Sequence, residues 1–112
     1  MNNKGKIYED IAVRFLKKKG FKILKRNFAT KIGEIDIIAL DKKCLVFIEV
    51  KGGKDYIENP AYRVNNKKLQ KIIKTANIFI KYNNIDFDET RIDVIGVNDK
   101  FEVSYFPEQK LF

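Results

Sequence analysis

Asp36, Glu49 and Lys51 are the residues of this chain whose types and spacing can do chemistry. They lie in GEIDIIALDKKCLVFIEVKGGK, residues 33–54, where two apolar runs flank a short charged turn. Runs so rich in Ile, Val, Leu and Phe predict strands buried on both faces, where an isolated carboxylate is costly. If Lys42 and Lys43 form a two-residue turn, paired residue numbers sum to 85, and Asp36 stands opposite Glu49. A four-residue loop from Asp41 to Cys44 leaves that register unchanged, whereas a three-residue loop throws the two acids to opposite faces.

In the favoured register the two carboxylates share a face with Cβ atoms about 4.5–5.5 Å apart, a repulsive arrangement. A shared proton, a cationic neighbour or a bound metal ion would relieve it. Two carboxylates form an all-oxygen, hard donor set, suited to Mg²⁺ or Mn²⁺. With no histidine and a single cysteine, a structural zinc site is not expected. Lys51 follows Glu49 on the same face, where its ammonium can neutralise a bound anion or orient a water. The alternative is plain ion pairing, of Asp36 with an arginine and of Lys51 with Glu34.

The elements that must position these groups are legible from periodicity. GKIYEDIAVRFLKKKG, residues 5–20, predicts a helix stopped by Gly20, with Glu9 near the rim of its apolar stripe. FKILKRNF predicts a strand, and residues 33–40 and 44–51 predict two more. GGKDYIENP is a loop. A second helix is expected from about Asn65 to Tyr82, apolar along Leu69, Ile72, Ile73, Ala76, Phe79 and Ile80. RIDVIGV and KFEVSYF predict a closing hairpin around Asn98 and Asp99. The expected order is αβββαββ, an α/β sandwich with its central sheet covered on both sides.

The 112 residues fit one domain, 1–112, that is 45% hydrophobic and 34% charged. Lys and Arg outnumber Asp and Glu by 23 to 15, a net charge of +8 that favours a polyanionic partner. Cys44 is the sole cysteine, so the chain has no internal disulfide framework. No secretory leader and no membrane-length apolar run is visible, and a cytoplasmic location is expected. Asp93 repeats the Ile-Asp context of Asp36, and a pairing with Arg91 or Arg26 is expected rather than a third ligand role.

Asp followed by Glu-x-Lys on the next strand resembles the PD-(D/E)XK nuclease superfamily. A closer resemblance is to the YraN family of small bacterial proteins, similar to the Holliday-junction-resolvase branch. It rests on GKIYEDIAVRFLKKKGFKILKRNF, GEIDIIALDKKCLVFIEVKGGK, the lysine and alanine of KKLQKIIKTANIFI, and TRIDVIGV, together spanning nearly all of residues 5–97. The resemblance implies a restriction-endonuclease-like core, a central mixed sheet flanked by helices. It implies Asp36 and Glu49 as metal ligands, Glu9 as a further metal-shell ligand, and Lys51 as the catalytic lysine. Lys67 matches a family lysine suited to a phosphate contact. Relatives often carry a polar or basic pair where this chain has Gly52-Gly53, which frees the loop and leaves Lys54 as the substitute cation. Lys68 and Lys71 join a DNA track if their helix lies beside the acids. Tyr56 and Tyr62 flank the loop and are candidates for base stacking or for packing beneath it.

The function expected is a Mg²⁺- or Mn²⁺-dependent DNA endonuclease hydrolysing phosphodiester bonds, with branched DNA among its substrates and a homodimer as a candidate assembly. The rival is a nucleic-acid-binding or scaffold protein that keeps the nuclease fold without catalysis.

Overall fold

The computed structural model describes residues 3–53 and 65–109. The expected order is found: α1 (Asn3–Lys18), β1 (Lys22–Ala29), β2 (Glu34–Asp41), β3 (Cys44–Gly52), α2 (Asn66–Tyr82), β4 (Glu89–Val97) and β5 (Val103–Phe106). The strands form one mixed sheet in the order β1-β2-β3-β4-β5, antiparallel throughout except for the parallel pair β3–β4. The chain leaves β3 for α2 and returns as β4, the crossover that parallel neighbours need.

Each helix buries its stripe on one face of the sheet. Tyr8, Ala12, Val13 and Leu16 of α1 pack on Ile37, Ala39, Val46, Ile48, Ile95 and Val97. Leu69, Ile72, Ala76 and Phe79 of α2 pack on Ile38, Leu45, Phe47 and Val94. With both faces covered, the central strands are apolar in consecutive positions. α1 ends in a Schellman motif: Gly20 adopts φ +93°, while Phe21 N–H donates to Leu16 O and Gly20 N–H to Lys17 O. α2 is started by Asn65, whose side chain accepts a 2.9 Å bond from Lys68 N–H.

The hairpin register is the one that sums to 85, from Asp41↔Cys44 to Ile37↔Ile48, with Lys42 left-handed at φ +56° in the two-residue turn. The second hairpin differs from expectation. Lys100, Phe101 and Glu102 belong to the turn, and β5 begins only at Val103. The side chain of Asn98 is the reason. Its Oδ1 accepts from Lys100 N–H and Glu102 N–H, holding the chain in a five-residue reversal. No helix among the described residues is long and apolar enough to cross a membrane.

Candidate metal and nucleic-acid site

The β2–β3 ladder stops at Ile37↔Ile48, one pair short of Asp36 and Glu49. Beyond it, Val50 N–H donates to Asp36 Oδ2 at 2.8 Å, a side-chain acceptor in place of a backbone carbonyl. Regular alternation puts residues 35 and 37 on one face. Here Ile35 packs with the α2 cluster and Ile37 with the α1 cluster, so β2 is irregular at Asp36. On the adjoining strand Asn27 is left-handed, at φ +53°. The strands part where the like charges would have met, and the Asp36 carboxylate lies in the gap.

Each neighbouring acid has its own setting. Glu49 faces α2, 13% exposed, with Lys68 Nζ 2.5 Å from its Oε1. Alternation along β3 puts Lys51 on that side too, and among the described residues Lys51 has no ion-pair partner. Glu9, 9% exposed, lies on the α1 side and accepts from Arg26 Nε at 2.8 Å and Asn27 Nδ2 at 3.1 Å. An open cleft of about 650 Å³ exposes Glu9, Glu34, Asp36, Val50 and Gly52 together. The single-face cluster expected from strict pairing is thus replaced by a gap, with Glu9 and Glu34 on one side and Glu49 and Lys51 on the other.

Burial pushes the Asp36 carboxyl up to about 6; the Val50 N–H opposes this, and repulsion from Glu49, Glu34 and Glu9 adds to it. Neither an arginine nor a lysine pairs with Asp36 among the described residues. The donors present are carboxylate oxygens, which suit a hard divalent cation. Among the described residues, no three acidic, histidine or cysteine side chains converge as a ready-made metal shell. A cation there would draw on Asp36 first, with Glu49 or Glu9 moving off its present partner.

The lysines of α2 divide. Lys68 reaches Glu49, while Lys67 and Lys71 are exposed. The start of α2 lies along the start of β2, where a Cβ added to Gly33 would be 3.7 Å from that of Lys71. The lysine face therefore borders the acidic gap, the condition for a backbone track. Lys54, Tyr56 and Tyr62 fall outside the described residues.

Two features go beyond what the sequence showed. Gly52 is not a loop hinge but the last residue of β3, and a Cβ there would fall 1.7 Å from Tyr8 Cδ2. The ring of Tyr8 occupies that space, and its hydroxyl donates to Asp99 Oδ1 at 2.7 Å. Gly53 N–H in turn donates to Val97 O at 2.9 Å. The other feature is Asp93, 0% exposed, which pairs with Arg91 at 3.0 Å as expected and also accepts from the Tyr105 hydroxyl and Glu108 N–H. Arg26, the other expected partner, goes to Glu9 and Asp10. With all its acceptors engaged, Asp93 is structural.

Fold and site define a mixed-sheet α/β protein with a carboxylate-lined split between its first two central strands. The chain belongs to the uncharacterised protein family UPF0102, the YraN family, whose model matches residues 8–97. A UPF0102 protein of Petrotoga mobilis is 51% identical over 112 residues, covering 99% of this chain and 100% of the relative. Those of Fervidobacterium nodosum and Thermotoga maritima are 45% and 42% identical, covering 81% and 84% of this chain and 70% and 89% of the relatives.

Proposed function

We propose that this protein is a Mg²⁺- or Mn²⁺-dependent DNA endonuclease of the cytoplasm that hydrolyses phosphodiester bonds, branched DNA among its substrates. The observation that carries this is Asp36: a half-buried carboxylate without a cationic partner among the described residues, held by one N–H and crowded by three further acids. Such a group costs stability unless something positive joins it, and functional sites are where such costs concentrate. Asp36 and Glu49 would hold the ion from the two sides of the gap, with Glu9 behind them. When bound, a divalent cation polarises the scissile phosphate and acidifies a water. Lys51, free of ion pairs among the described residues, neutralises charge that develops on the phosphate. Lys67 and Lys71 take backbone phosphates without reading sequence, and Lys54 is assigned the same role from its position in the sequence.

Lys68 on Glu49 and Arg26 on Glu9 favour a second reading, in which the site is already neutralised and the protein binds nucleic acid without cutting it. Incubation with branched, flapped and linear DNAs in Mg²⁺ or Mn²⁺ separates the two. The nuclease cuts at least one of them, and Asp36→Ala and Lys51→Ala abolish cutting while binding persists. No cutting of any DNA, together with no calorimetric signal for Mn²⁺, leaves the second reading.

A further inference from the structure

On the side of α1 away from the acidic cleft lies an open groove of about 490 Å³. Ile11, Phe15 and Val103 line it half-buried, and Ile7 and Phe101 stand more exposed at its rim. Phe101 is 55% exposed and sits at φ +64°, a conformation that bulky L-residues avoid and glycine or asparagine adopts readily. The fold gains little from a phenyl ring there, since over half of it remains in water.

The turn nonetheless fixes the backbone that carries the ring. Asn98 bonds the backbone at Lys100 and Glu102, its amide donates to Glu102 Oε1 at 2.8 Å, and Phe101 N–H donates to Asn98 O at 2.9 Å. Asp99 is tied to Tyr8. An exposed aromatic on a preorganised turn is a stacking platform, because little entropy is lost when a flat partner settles on it.

Charge decides which flat partner. Arg14 and Lys18 line the groove, exposed and without ion-pair partners among the described residues. Asp10 also lines the groove but is ion-paired with Arg26, while Asp99 and Glu102, hydrogen-bonded to Tyr8 and Asn98, lie outside its lining. Aromatic and free cations together match a base and its phosphate.

We propose that this groove takes a single-stranded segment of DNA, one base stacking on Phe101 and the backbone running along Arg14 and Lys18. It rests on the DNA reading above and deepens it, giving the protein a hold on unpaired strand next to the cleft. α1 is the shared wall, with Tyr8 and Glu9 on the cleft and Ile7 and Ile11 on the groove.

The chain contains no tryptophan, so Phe101→Trp makes a single-tryptophan reporter. In EDTA at low salt, oligothymidylate should quench its emission over the same concentrations that raise the anisotropy of labelled oligonucleotide. Phe101→Ala should weaken oligothymidylate binding roughly tenfold, the order of one base–aromatic stack. Its binding of inorganic polyphosphate, which has charge but no bases, should stay within twofold. Anisotropy without quenching, equal losses for both polyanions, or no oligonucleotide binding at all overturns the proposal. So does a dimer in sedimentation that Phe101→Ala dissolves, which would make the groove an interface between copies. Because every arm omits metal, failure of cleavage leaves this result standing, and failure here leaves cleavage standing.

Discussion

Replacing Asp36 by Asn removes a charge from the gap while leaving an oxygen to accept the Val50 N–H. The carboxyl sits at about 6 in the folded chain against 3.8 for the free group. A difference of about two pH units, at about 1.4 kcal/mol each, makes roughly 3 kcal/mol. The sign follows from which state holds the proton more tightly. Between pH 4 and 6 the folded chain keeps the proton after the unfolded chain has lost it, so stability falls as pH rises through that window and is level above it. In EDTA at pH 4, where the parent carboxyl is largely protonated, the unpaired amide N–H₂ should leave the variant the less stable by about 1 kcal/mol. At pH 7.5 the variant should be the more stable, by roughly 1–2 kcal/mol once the unpaired amide N–H₂ is deducted, or some 4–15 °C in Tm. Mn²⁺ at a hundredfold excess over its Kd should add about 2.7 kcal/mol to the parent and little to the variant. An Asn variant less stable than the parent at pH 7.5 in EDTA would refute the reasoning, for it would mean that the carboxylate is held by a cation.

Glu49→Gln loses the half-exposed contact with Lys68 but also relieves Asp36, so metal-free stability at pH 7.5 should change by less than about 1 kcal/mol. The pH window of Asp36 should move downward, followed by its carbon resonance in NMR. Gly52→Ala must displace the Tyr8 ring and strain its bond to Asp99, costing roughly 2–4 kcal/mol in urea denaturation. Asp93→Ala strands the Arg91 guanidinium beside a buried void and should cost roughly 3–5 kcal/mol, read from the same titration. DNA affinity should fall linearly in log–log form with salt, by about 0.9 per phosphate neutralised; a flat response would remove DNA as partner.

The hairpin register was legible because side-chain alternation has period two and a two-residue turn admits one sum. α1, α2 and the layering were legible because apolar spacing distinguishes a stripe from a strand buried on both faces. What the acids do at the end of that hairpin was not. The Val50 N–H that captures Asp36 looks like any other amide in the sequence, and nothing in the spacing says that a ladder will stop one pair early. Glu9 was found near the rim of its helix. Its partners Arg26 and Asn27 depend on how β1 passes beneath α1, a tertiary fact. Gly52-Gly53 suggested freedom because glycine usually supplies it; at Gly52 the missing side chain instead makes room for Tyr8, some 44 residues earlier in the chain.

The parallel pairing of β3 with β4 has a consequence for how this protein can be divided. Cys44 aligns with Glu89, so one edge of the strand bearing Glu49 and Lys51 is completed by residues some 45 positions further along. The split hairpin therefore is not a portable unit. Made in a fragment that stops before Glu89, it keeps every proposed ligand yet presents an open apolar edge that other chains can join. Removing β4 would take away the chemistry without touching a single residue assigned to it, and an inactive truncation would say nothing about the residues it deleted.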